Sequence, residues 1–304
     1  MKKLFFIISM LLFNVAVIKS QNQNLSTLGD SAFEAGNFKL AKKFLQRDIK
    51  RDTTINSRYY TLAAIFALFN KTDSSFFYIK KYMKKPIIPE MVLGDPDLYN
   101  LRKDKKWLPV KNSLADQFLK NNPNLEKDPT IELIDMNAYN MAFVKDIENL
   151  QKIFGKNSKQ IDSLQRLKNE INFTLQKRFM EMLDKTGWPK LSEVGNNASN
   201  SAFLIFQNSD LLTQKNYISF FKNAVDNKEA SASNYVVIVD KIAVAENRKQ
   251  TYGTQIKLNE KTKKNELYPI DDEKNVDKRR KELGLGSLSE YLSEFGIKYK
   301  LPVK

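Results

Sequence analysis

The chain has 304 residues, 42% hydrophobic and 11% aromatic, with no Cys and no His, so it can bury a sizeable core and its length fits two domains better than one. The missing residue types exclude disulfides, Ser-His-Asp and Cys-His nucleophile activation and His-ligated metal sites, leaving carboxylates, Lys, Arg, Tyr, hydroxyls and amides. The formal charge of +15 admits anionic ligands, although solvated Lys on helix faces accounts for it without one.

Residues 1–20, "MKKLFFIISMLLFNVAVIKS", set Lys2 and Lys3 before an apolar run from Leu4 to Ile18, and Ser20 precedes polar "QNQN". This predicts a secretory signal peptide, because the run is shorter than the roughly 20 residues that span a bilayer; an uncleaved anchor is the alternative. The expected mature protein is exported, periplasmic or secreted, with no stable membrane span and no nucleic-acid partner. Removal of Lys2, Lys3 and Lys19 would take three positive charges with the leader.

Residues 25–119 read as helical repeats. Offsetting "LGDSAFEAGNFKLAKKFL" by 34 residues onto "LAAIFALFNKTDSSFFYI" aligns Gly29 with Ala63, Gly36 with Asn70 and Ala41 with Ser75. Small residues at the first and last places let two helices cross closely, and Gly36 and Asn70 supply the turns. The period and residue types resemble degenerate tetratricopeptide repeats, which implies a surface for a protein partner. The stretch around Pro89, Gly94, Pro96, Leu98, Leu101, Trp107 and Leu108 reads as a closing cap with Trp107 as a core anchor.

"KNNPNLEKDPT", residues 120–130, reads as a linker, and 131–304 as a helical domain. Ile131, Leu133, Ile134, Met141, Phe143, Val144 and Ile147 predict one helix, broken at Gly155 and Asn157. Ile161, Leu164, Leu167, Ile171, Leu175, Phe179 and Met182 predict a long amphipathic one ending near Gly187. Shorter helices are expected over 198–208, about 214–227 and after Ser233. A hairpin near 251–271 then pairs "TYGTQIKL" with "ELYPID", and Asn275 and Ser287 cap two last helices closed by Gly284 and Gly296. The fold class is therefore mainly α, with a repeat segment followed by a helical domain carrying one small β-hairpin.

The ordered series "GWP" (187–189), "SEVG" (192–195), "AFLIFQNSD" (202–210), "EAS" (229–231), "VDKIAV" (239–244), "QTYGTQ" (250–255), "YPIDD" (268–272) and "NVDKRRKELGL" (275–285) resembles the bacterial domain of unknown function 6624 over roughly residues 130–292. The resemblance implies no assigned activity. Where that family tends to have Gln-His-x-Asp, this chain has Gln207, Asn208, Ser209 and Asp210. Where the family has Asp-Gln followed by Arg, it has Asp135, Met136 and Tyr139. Asn208 can hydrogen-bond but cannot shuttle a proton near neutral pH.

Helical spacing places Gln207 and Asp210 on the stripe of Phe203 and Phe206, so Asp210 needs a partner such as Lys241, Arg279 or a cluster of backbone N–H groups. In "TYGTQ", Gly253 inside a strand pattern marks a bulge or close approach, and alternation puts Tyr252 and Thr254 on one face and Gln255 on the other. The candidate polar cluster is Gln207, Asn208, Asp210, Asp240, Tyr252, Thr254, Gln255, Asp271 and Arg279, read either as a structural clasp or as a site for a small polar or anionic cell-envelope ligand. A calcium loop starting at Asp271 fails on Val276 at the glycine position and on crowding by Lys278, Arg279 and Arg280, so no metal and no cofactor is expected. The leading functional reading is an exported protein- or ligand-binding module. The alternative is a cell-envelope hydrolase using Asp210, Asp240 and Asp271, with separations that sequence does not give.

Overall fold

The computed structural model describes residues 25–144, 146–148, 151 and 159–302; the expected leader and the break at Gly155 and Asn157 lie outside them. The chain divides into two compact units, Met1–Phe118 and Leu119–Lys304. Mainly helical structure with paired helices and a single small antiparallel hairpin among the described residues matches the expected class.

The first unit begins with a helix over 25–34 followed by Phe38–Arg51, then Ser57–Leu68 followed by Thr72–Tyr82. Each pair turns on a left-handed residue, Gly36 at φ 74° and Asn70 at φ 55°. These are the two residue types that adopt that conformation at least cost. The small residues at the crossings are functional in packing. A Cβ on Gly29 would lie 2.9 Å from Leu45, and Ser75 Oγ donates to the Ala63 carbonyl at 2.6 Å. Between the pairs, the buried Arg58 guanidinium reaches Asp48 Oδ2 at 2.7 Å, a contact that is costly to break from one side only.

Short helices Pro89–Leu93 and Tyr99–Arg102 lead into Trp107–Asn121. Leu98, Leu101 and Trp107 are buried as expected, whereas Leu108 is 61% exposed. Tyr60 donates to Asp95, whose carboxyl is held above the usual range by burial. Arg102 donates to the Leu93 carbonyl at 2.7 Å with its guanidinium 4.9 Å from the Trp107 ring centre.

In the second unit, Lys127–Met141 begins inside the predicted linker, so only residues 122–126 of that stretch lie between helices. This helix stops earlier than its apolar pattern predicts: it ends at Met141, and Phe143 takes φ 66°. The long amphipathic helix is Lys159–Thr186, terminated by Gly187 at φ 75°. Leu191–Gln207 packs against Lys127–Met141, and Leu211–Asp226 against Ala232–Ala245. Their shared core is aromatic. Trp188 stacks on Phe221 at 3.9 Å, and Phe206 sits edge-on to Trp188 at 5.3 Å, with Phe179 and Tyr235 completing the cluster. Thus "GWP" and "AFLIFQ" occur together because Trp188 and Phe206 fill one core.

Strand β1 (Ile256–Asn259) pairs antiparallel with β2 (Lys264–Leu267), Ile256 opposite Leu267. Val276–Glu282 and Leu288–Ser293 close the unit, with Ile270, Val276, Leu288 and Leu292 as a small second core. Ser287 forms a capping box with Glu290, and Gly284 and Gly296 both have φ 71°. Asn275 does not cap as expected; its side chain donates to Asp272 at 2.8 Å instead.

Candidate functional site

The nine candidate residues separate into two hydrogen-bonded groups. The first centres on Asp240, fully buried on the Ala232–Ala245 helix. Its Oδ1 accepts from the backbone N–H of Thr251 at 2.7 Å and Tyr252 at 2.9 Å, and its Oδ2 from the Thr254 N–H and hydroxyl, both at 2.9 Å. Four donors converging on one carboxylate offset its desolvation. They also explain why "TYGTQ" is not the start of a strand. The chain curls so that three N–H groups face inward, Gly253 adopts φ 80°, and pairing begins only at Ile256. The predicted alternation of Tyr252 and Thr254 against Gln255 therefore does not apply.

The same loop is fastened from outside. Gln250, fully buried, donates to the Gln255 and Tyr268 carbonyls and accepts from the Gln255 N–H at 2.8 Å. The Gln255 side chain donates to the Val237 carbonyl at 3.2 Å. Arg279 spreads over three carbonyls, Thr251 at 3.0 Å, Asp272 at 3.1 Å and Asp271 at 2.7 Å. Asp271 enters through its backbone while its side chain is at the surface. Arg280 donates to the Tyr252 and Gly286 carbonyls, and burial pulls its guanidinium below the ordinary value. Tyr252 contributes its N–H and carbonyl; its phenol is pushed up by burial, with Asp240 adding to the rise. Asp277 Oδ1 accepts from the Leu288 N–H at 2.7 Å, so this member of the rejected calcium pattern holds two short helices together.

The second group surrounds the end of Leu191–Gln207. The helix stops at Gln207, so Asp210 does not continue its buried face. It is exposed and caps the next helix, accepting from the Thr213 N–H at 2.9 Å. That bond, reinforced by Gln176, holds its carboxyl below the usual range. Gln207 takes part through its carbonyl, which accepts from Lys241 and from Gln214. Asn208 Nδ2 donates to Asn140 Oδ1 at 3.0 Å, and the Asn140 carbonyl receives Lys168 Nζ at 2.7 Å. Both lysine amines reach carbonyls in the last turn of another helix, where a cation is favoured, and burial lowers their affinity for the proton. Lys241 follows Asp240 in sequence and so ties the two groups together. Sequence reasoning missed Asn140, Lys168, Gln176 and Gln250. Gln250 was legible as the first residue of its own motif; the others lie on helices whose facing partners sequence does not specify.

A concave feature lies elsewhere in this unit. The start of Lys127–Met141, the last turn of Lys159–Thr186 and the Trp188–Pro189 turn enclose a cavity of about 250 Å³ that adjoins another of about 320 Å³. The two share Glu126, Pro129, Met182 and Thr186. Trp188, 4% exposed, contributes to the wall, and its indole Nε1 meets no hydrogen-bond acceptor.

The geometry defines a helical unit closed by a hairpin and a polar clasp, with a groove beside its Trp turn. Residues 145–304 match a family described as a family of unknown function (DUF6624), and the chain belongs to it. The match reaches the C-terminus and begins beyond Lys127–Met141, so Asp135, Met136 and Tyr139 fall outside the matched region. No curated protein and no solved structure matches the chain significantly.

Proposed function

We propose that the protein is an exported binding module whose C-terminal unit takes a small polar ligand in the groove beside Trp188. The observation that carries this reading is the groove itself, whose adjoining cavities of about 250 and 320 Å³ are of the size that small ligands fill. The hydrolase alternative is weakened by the occupation of its carboxylates. Asp240 is saturated by four donors, and Asp210 is engaged as a helix cap. Leader-like composition at residues 1–20 supports export. The paired N-terminal helices, read as tetratricopeptide-like, would dock a protein partner. Exposed Phe77, with Lys81 Nζ 5.5 Å from its ring centre, and Phe69, with Lys42 at 5.7 Å, support that role.

A thermal-shift screen of metabolites and cell-wall fragments on the chain lacking residues 1–20 tests the ligand reading. Thr186→Trp, a substitution at an exposed groove position, is expected to abolish the hits, and Asp210→Asn to leave them. Hits that survive Thr186→Trp, or that disappear in a normally folded Asp210→Asn protein, would move the site to the Asn208 group.

A further inference from the structure

The three helices Phe38–Arg51, Ser57–Leu68 and Thr72–Tyr82 carry nine Lys and Arg side chains and only two carboxylates. Both carboxylates are engaged by other cations: Asp48 lies against the buried Arg58, and Asp73 pairs with Lys106. Lys42 and Lys81 therefore have no counter-charge left to them on these helices, and a partner that docks here must supply it.

The same helices carry a row of partly exposed aromatic rings. Phe66 and Tyr78 pack on the small core around Leu45, Leu62 and Ile65 without being covered by it. Phe66 stacks on Tyr78 at 5.4 Å, and Tyr78 meets Phe77 edge-on at 5.2 Å. Lys42 Nζ lies 5.7 Å from the ring centres of both Phe66 and Phe69, and Lys81 Nζ lies 5.5 Å from that of Phe77. The two amines thus sit at opposite ends of one aromatic surface. Its middle is recessed: Phe77 is 55% and Phe69 36% exposed, whereas Phe66 and Tyr78 are half-buried.

We infer that this row of rings docks an acidic peptide segment in which carboxylates alternate with apolar side chains. This rests on the paired N-terminal helices docking a protein partner, and it names that partner's chemistry. Carboxylates meet Lys42 and Lys81, and the apolar side chains pack on the rings between them. Four contacts of 5.2–5.7 Å link the two amines, so they stand at most about 22 Å apart, which about six or seven extended residues span. A sugar or nucleobase would stack on ring faces, but Phe66 and Tyr78 turn those faces to each other. A flat anionic bilayer would meet Phe77 and Phe69 before the recessed pair, whereas a single extended chain reaches all four.

Fluorescence anisotropy on the chain lacking residues 1–20 tests this, with labelled peptides that alternate Glu with Leu or Phe as probes. Counterparts with Gln or Lys in place of Glu, polyglutamate, polygalacturonate and phosphatidylglycerol vesicles are the comparisons. The expected result is saturable binding of the Glu peptides alone. Lys42→Gln/Lys81→Gln is expected to weaken it by about 5- to 10-fold, as two surface ion pairs would. Lys43→Gln/Lys50→Gln removes the same charge from exposed positions opposite the buried Ala41, Leu45 and Asp48, and is expected to change binding by less than about 2-fold. Both variants should keep the wild-type far-UV circular dichroism. Equal losses in the two variants would mean that the general positive field binds the probe, and would overturn the inference. Gln peptides that bind as tightly as Glu peptides overturn the acidic assignment and leave the docking of a protein partner standing. Polyglutamate that binds as tightly overturns the role of the rings. Binding of vesicles or polygalacturonate but of no peptide, or of no probe at all, overturns both the inference and the docking reading.

Discussion

Replacing Asp240 by Asn tests whether the "QTYGTQ" loop is held by one carboxylate. The change keeps the shape and removes one acceptor oxygen. If the remaining oxygen stays with the Thr251 and Tyr252 N–H groups, the new NH₂ faces the Thr254 N–H and hydroxyl. The hydroxyl can rotate and accept, but the Thr254 N–H cannot, so one buried donor is orphaned at about 1–3 kcal/mol, and two bonds lose their charge assistance. The sum is roughly 2–4 kcal/mol, or a fall of about 5–12 °C in melting temperature for a unit of this size. Urea unfolding of the chain lacking residues 1–20, followed by Trp188 emission in a Trp107→Phe background, measures it. A loss below about 1 kcal/mol would refute the account, since that is the smallest cost of a single orphaned donor. Thr254→Val in the same background should show coupling with Asp240→Asn, because both act on one oxygen.

Gly253→Ala should cost about 3 kcal/mol, since the new Cβ would lie 2.6 Å from Leu288 Cδ1 at a residue with φ 80°. Gly284→Ala, at φ 71° with nothing within 4 Å, should cost only about 1 kcal/mol. Equal losses in urea unfolding would show that Leu288 yields freely. Asp210→Ala should lose about 1 kcal/mol as a missing helix cap, whereas Asp210→Asn should lose little above neutral pH. Because the folded-state affinity of Asp210 for its proton is lowered, its contribution is full above the ordinary carboxylate range and is lost as pH falls through the lower folded range. Wild type should thus approach Asp210→Ala on acidification while Asp210→Asn does not; parallel curves would exclude the cap.

Local signals in the sequence were sufficient wherever the determining interaction is itself local. Gly36, Asn70, Gly187, Gly284 and Gly296 end helices in the left-handed region, and Ser287 with Glu290 builds a cap, because each depends on a few neighbouring atoms. The long amphipathic helix and the buried Trp107 follow from spacing and hydrophobicity in the same way. Where distant groups compete for the backbone, local reading failed. "TYGTQ" has strand composition, but Asp240 on another helix draws three of its N–H groups together and prevents pairing. Asp210 continues a helical stripe in sequence, yet the helix ends at Gln207, where Gln214 and Lys241 satisfy its last carbonyls, and Asp210 starts the next one.

The sequence by itself determined the helical class, the hairpin, the absence of His and Cys chemistry and the family motifs. Only the tertiary structure divided the candidate residues between a clasp around Asp240 and a helix junction around Asn208, and revealed the groove beside Trp188. The physical reason is that a carboxylate's role depends on the donors around it and a cavity on the walls that meet, and both are supplied by residues far apart in the chain.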